Sequence, residues 1–154
     1  MKSLFMLLTI LSFYFAKAAP VPGDIAPAAV VSFEQTFKEA TNSEWMVVGD
    51  LFRVKFNFGT QLLYAFYNAK GERICICRTV SLQQLPPMLQ AMFLKDFSGS
   101  VVVDSFEVAA DADISYYVTV IKDNRKITLR SVGITDWAVY NKGKNLKPAA
   151  INCR

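Results

Sequence analysis

The chain contains no histidine. That removes the commonest general base at neutral pH and the commonest metal ligand together. Ser-His-Asp and Cys-His catalysis are excluded, as is any zinc site that uses imidazole. Cysteine is scarce and odd in number: Cys75, Cys77 and Cys153 allow at most one intrachain bridge and leave one sulfur over. Charge is thin, with 19% charged residues and a formal net charge of +4. Lys and Arg are interleaved with Asp, Glu and aromatics, so the clustered basic face of a nucleic-acid binder is missing and no nucleic-acid partner is expected. The long apolar run Leu4–Phe15 is too short for a comfortable membrane span.

That run is the centre of a signal peptide over residues 1–18. Lys2 supplies the positive start, Leu4–Phe15 the apolar segment and Ala16-Lys17-Ala18 the small-residue cleavage site. Cleavage is expected before Ala19. Loss of Lys2 and Lys17 lowers the net charge from +4 to +2. No cysteine follows the cut to carry a lipid, so no stable membrane anchor is expected. The product is expected in the periplasm or secreted, where disulfides persist. Residues 19–27, with Pro20, Pro22, Gly23 and Pro27, read as a flexible leader. Residues 28–141 read as one domain and 142–154 as a polar C-terminal tail.

The domain is organised around Leu51–Val80. In Leu51–Phe58, Phe52, Val54, Phe56 and Phe58 alternate strictly with Leu51, Arg53, Lys55 and Asn57, the period of a half-buried strand. Gly59-Thr60 turns into a strand over Gln61–Tyr67. Asn68-Ala69-Lys70-Gly71 turns into another over Glu72–Val80. Ahead of them, Ala28–Ala40 reads as a helix with an apolar stripe at Val30, Phe33, Phe37 and Ala40, followed by a short strand at Glu44–Val48. Beyond them, Ser81–Phe97 reads as a loose turn and then a helix from Pro86 or Pro87. Its apolar face is Met88, Leu89, Met92, Phe93 and Phe97. Strands are expected at Val101–Val108, Asp113–Lys122 and Arg125–Val132, with a tight hairpin at Asp123-Asn124 and a last short strand or loop near Asp136–Tyr140.

Laid side by side, the chain repeats itself: helix, meander, helix, meander, as two αβββ units over about 28–80 and 81–141. Phe33-xxx-Phe37 has the spacing of Phe93-xxx-Phe97. The fold class expected is α+β, one curved antiparallel sheet with both helices on one face and the other face open to solvent.

These residues also resemble a known family. The order is an export signal, Val30-Val-x-x-Phe-x-x-x-Phe37, Trp45, Tyr64-x-x-Tyr67-Asn68-Ala69-Lys70-Gly71 and Leu85-Pro-x-x-Leu89. It is similar to the exported PepSY-like domains of Bacteroidota, also described as beta-lactamase-inhibitor-protein-like (the DUF2874 type). The resemblance runs from about Val30 to Val132. It implies a periplasmic α+β domain of two tandem units, with no established reaction, substrate or cofactor, and it suggests binding or inhibition of another protein. The Cys75/Cys77 pair departs from the family pattern, and so does the missing Asp/Asn-x-x-Gly turn in the second half.

Arg53, Lys55, Arg73 and Thr79 are expected on the open face with Cys75 and Cys77, as a possible partner-binding surface. Cys75 and Cys77 share a face of one strand, where a direct bridge is geometrically poor. Their spacing suits neither a redox pair nor a zinc site, and small apolar fillers are the plainer reading. Cys153 could instead bridge to Cys75 or Cys77 across a returning tail. Such a link would close a loop of about 75 residues and contribute roughly 4 kcal/mol. Tyr64, Tyr67, Tyr116, Tyr117 and Trp45 read as cross-strand packing, and one that faces the open side could anchor a partner. Asp111 and Asp113 read as a solvated turn with too few oxygens for calcium. Neither a catalytic residue, a cofactor nor a metal is expected. The leading function is a non-catalytic module that binds a protein or peptide on the open face of the sheet. The alternatives are a proteinaceous inhibitor of a periplasmic or secreted hydrolase and, least favoured, a small His-free enzyme.

Overall fold

The computed structural model describes residues 23–111 and 113–143. The signal peptide, most of the leader, the tail beyond residue 143 and Cys153 lie outside the described residues. The elements are α1 (Pro27–Thr36), β1 (Thr41–Val48), β2 (Leu51–Phe58), β3 (Gln61–Tyr67), β4 (Arg73–Thr79), a 3₁₀ turn at Leu82–Gln84, α2 (Pro87–Phe97), β5 (Val101–Ala110), β6 (Asp113–Lys122), β7 (Arg125–Val132) and β8 (Asp136–Gly143). The eight strands form one antiparallel sheet in sequence order. Each repeat therefore holds four strands after its helix, where the αβββ unit read from the sequence counts three: β1 is the short strand expected at Glu44–Val48, and β8 takes the place of the short strand or loop expected near Asp136–Tyr140 and runs on past Tyr140.

Period-two alternation forms the strands and places their faces. Phe52, Val54 and Phe56 of β2 lie opposite Tyr67, Ala65 and Leu63 of β3, and α1 covers this side with Ala29 and Phe33. Phe33 meets Phe56 edge-on at 4.9 Å and Trp45 at 5.6 Å. Phe37 and Phe52 are only half-buried and Phe58, at the strand end, is exposed. α1 stops four residues before the expected Ala40. Phe37 leaves helical geometry but still donates its N–H to Phe33 O at 2.8 Å. Left-handed Asn42 and a bulge between Thr41 and Glu44 then draw polar residues into β1.

The second unit has its own core. Leu89 and Phe93 of α2 pack on Val118, Val120 and Leu129, while Met88, expected on the apolar face, is 54% exposed. The Trp137 indole donates to Leu89 O at 2.9 Å, tying β8 to α2. Pro87 opens the helix where a missing N–H costs nothing. Asp123 and Asn124 both adopt positive φ, as a two-residue hairpin turn of this hand requires.

The two cores meet at the β4–β5 seam. There Arg78 lies opposite Glu107 and donates Nε and an Nη to the two carboxylate oxygens, both at 2.8 Å. Val80 and Ser105 extend the seam. Val80 N–H donates to Ser105 O at 3.1 Å, and the Ser105 hydroxyl donates back to Val80 O.

Candidate functional site: the face opposite the helices

Strand register sets three rows across the side of the sheet away from α1 and α2. Met46, Arg53, Phe66 and Cys75 stand in one row. Glu44, Lys55, Tyr64, Cys77, Val108 and Ser115 stand in the next. Thr79, Phe106, Tyr117 and Arg130 stand in the third. The centre is apolar and buried: Phe66, Cys75, Cys77, Val108 and Tyr117 form one cluster, with Leu51, Tyr64 and Ala110 packed against it. The expectation of a face open to solvent is thus corrected at its middle. β3 carried the signal, because its run Leu62–Tyr67 is apolar at both parities and such a strand is covered on both sides.

Polar groups border this centre. The Arg53 guanidinium lies 5.5 Å from the Tyr64 ring centroid and donates to Met46 Sδ at 3.3 Å. Lys55 pairs with Glu44 at 3.1 Å. The Arg130 guanidinium lies 5.9 Å from the Tyr117 ring and donates to the Ser115 hydroxyl at 3.3 Å. Tyr140, beside a bulge in β8, meets Tyr117 edge-on at 5.4 Å. Rings and flat cations side by side are the residue types that anchor protein interfaces.

The two cysteines are packing residues within this patch. Burial pushes the Cys77 thiol up to about 12, so it stays protonated and unreactive at neutral pH. Cys75 is disulfide-bonded, and its Sγ lies 3.8 Å from that of Cys77, well outside bonding distance. Among the described residues, no group of three or more Asp, Glu or Cys side chains is placed to hold a metal ion.

Of the four residues expected to share this face, Arg53, Lys55 and Thr79 do. Arg73 does not. A bulge between Phe66 and Tyr67 sets Arg73 opposite Tyr67, on the helix side. There its guanidinium lies 5.9 Å from the Phe37 ring. Thr79 sits apart from Arg53 and Lys55, at a shallow depression lined by Thr60, Gln61, Leu62, Arg78 and Gln84 as well. Tyr64 and Tyr117 lie on this face, where the sequence allowed strand aromatics to anchor a partner, whereas Phe66 and Arg130 were not singled out from sequence.

No family model and no curated protein matches this chain. Solved structures do. A BLIP-like protein from Bacteroides fragilis, 16% identical, superposes with a TM-score of 0.71 over 84% of this chain and 93% of its own. A DUF2874 family protein from Bacteroides ovatus, 18% identical, gives 0.66 over 76% and 89%. A protein from Bacteroides eggerthii described as periplasmic, 13% identical, gives 0.69 over 79% and 89%. The fold is therefore the α+β fold of the DUF2874 and BLIP-like proteins, in line with the resemblance read from the sequence. Among the described residues no helix is long and apolar enough to cross a membrane.

Proposed function

We propose that this chain is an exported, non-catalytic module that binds a protein or peptide on the sheet face opposite its helices. The observation that carries the reading is the juxtaposition on that face of an aromatic centre with the stacked guanidinium groups of Arg53 and Arg130. Such a surface offers half-buried rings and flat hydrogen-bond donors around a buried apolar centre. Export to the periplasm or beyond follows from the signal peptide, and the described periplasmic location of a protein with the same fold agrees with it.

The test is retention of a partner from a periplasmic extract by the immobilised mature protein. Tyr64→Ala and Arg53→Glu should each weaken retention at least tenfold. Leu94→Glu, on the exposed side of α2, should leave it intact. Equal loss from Leu94→Glu, or no loss from the two face variants, rejects this face. If the retained protein is a hydrolase whose activity falls on binding, the module is its inhibitor.

A further inference from the structure

Arg78 and Arg53 present the same guanidinium edge in two different states. On Arg78, Nε and Nη2 donate to the two Glu107 carboxylate oxygens, both at 2.8 Å. On Arg53, Nη2 donates to Met46 Sδ at 3.3 Å, and the buried Nε has no hydrogen-bond partner. A thioether sulfur is a weak acceptor, and a buried N–H left unbonded keeps its desolvation cost. The edge is nonetheless held in place. Met46 lies directly across from Arg53 on β1, and the guanidinium stands 5.5 Å from the Tyr64 ring centroid. Met46 is 52% exposed, and its unbranched side chain adapts readily. We propose that Arg53 is a docking point for a side-chain carboxylate of an acidic protein partner, which displaces the Met46 sulfur and takes Nε and Nη2 together, as Glu107 does on Arg78.

This rests on the reading that the face opposite the helices binds a protein, and it specifies that protein's chemistry. Neither Arg53 nor Arg130 forms an ion pair among the described residues. Lys55, two residues from Arg53, is already engaged by Glu44. One planar fork with one positive charge matches a carboxylate in shape and charge. A phosphate group carries about −1.5 to −2 charges, and one guanidinium leaves it under-neutralised.

Arg130 supplies a second point. Its guanidinium lies 5.9 Å from the Tyr117 ring and donates to the Ser115 hydroxyl at 3.3 Å. From β2 to β7 are five strand spacings, about 24 Å. Arg53 stands in the row of Cys75 and Arg130 in the row of Thr79, which is about 13 Å further along the strands. The two residues are therefore about 27 Å apart in a flat sheet and closer in a curved one. A small dicarboxylic acid cannot bridge that span, whereas about eight extended residues do. The occupant is thus a protein segment with two Asp or Glu side chains on either side of the aromatic centre.

NMR of the arginine Nε–H groups in the mature chain tests this without an identified partner. The probe is an end-blocked peptide with two glutamates about eight residues apart and threonine between them. It should move the Arg53 and Arg130 signals together and to saturation. The same peptide with both glutamates replaced by glutamine should move neither, and a single glutamate should bind at least fivefold more weakly. Met46→Glu places a competing carboxylate beside Arg53. It should move the Arg53 signal with no peptide present and weaken peptide binding at least tenfold, while Met46→Leu leaves binding within twofold. Signals that stay still, that respond equally to the glutamine peptide, or that respond undiminished in Met46→Glu overturn the proposal. If Tyr64→Ala abolishes retention of an extract protein while the acidic peptide leaves Arg53 unmoved, the face still binds a partner but not through carboxylates. If the peptide binds as described and no extract protein is retained, the carboxylate site stands and the protein-binding reading falls.

Discussion

Tyr67 is wholly buried, yet its hydroxyl has no hydrogen-bond partner among the described residues. Burial pushes the phenol up to about 12, with Arg73 pulling slightly the other way. A buried hydroxyl without a partner keeps its desolvation cost and gains nothing in return. Tyr67→Phe retains the ring against Trp45, at 6.0 Å between centroids, and removes that cost. We expect it to raise stability by about 1 kcal/mol, read as a higher urea midpoint at unchanged slope. A lower midpoint would mean the hydroxyl is bonded. At this scale the sequence showed which residues alternate but not where alternation slips. Arg73 changes side because of one bulge, and no residue in Tyr67–Arg73 announces a bulge rather than a plain turn.

The turn between β3 and β4 shows what the motif Asn68-Ala69-Lys70-Gly71 does. The Asn68 carboxamide oxygen accepts the N–H groups of Lys70 at 2.9 Å and Glu72 at 3.0 Å, so the side chain stands in for backbone within the turn. Gly71 has φ +82, and a Cβ there would lie 2.5 Å from Ala28 O at the start of α1. The glycine therefore lets the turn touch the helix that covers the first core. Gly71→Ala meets both a left-handed backbone and a backbone clash, and should cost about 2–4 kcal/mol. Thermal unfolding measures it, and a Tm within a degree or two of the unaltered protein refutes the account. Strands β2, β3, β6 and β7 were legible to the residue because their turns carry Gly or Asp-Asn and their alternation is regular. The end of α1 was not. Its apolar stripe continues through Phe37 to Ala40, yet Phe37 already leaves helical geometry ahead of β1 at Thr41.

As a whole, the molecule is two helix-covered cores in one sheet, joined on the helix side by a charged pair and on the other by the apolar cluster around Cys77. The repeat and its single sheet could be read from the spacing of Phe33, Phe37, Phe93 and Phe97. The seam could not, since Arg78 and Glu107 are 29 residues apart and nothing local pairs them. Hydrogen bonds from Arg78 hold the Glu107 carboxyl below its ordinary value of 4.5, against an opposing contribution from burial and with further help from the Arg78 charge and a hydrogen bond with Tyr116. A carboxyl whose folded value is depressed binds its proton less tightly in the native chain than in the unfolded one. Its contribution is therefore fully present above about 4.5 and is lost as pH falls through the lower folded value. Asp104 runs the other way, because burial raises its carboxyl, so the total acid response mixes both signs. Glu107→Gln isolates one of them. It should lower stability by about 1–3 kcal/mol at pH 7 by weakening the bonds to a part-buried guanidinium. The gap to the unaltered protein should shrink as pH falls through the lowered folded value of Glu107. Urea denaturation of both proteins at pH 7 and pH 3 measures the two gaps. A gap of the same size at both pH values would show that the pair contributes shape alone and that the seam does not depend on charge.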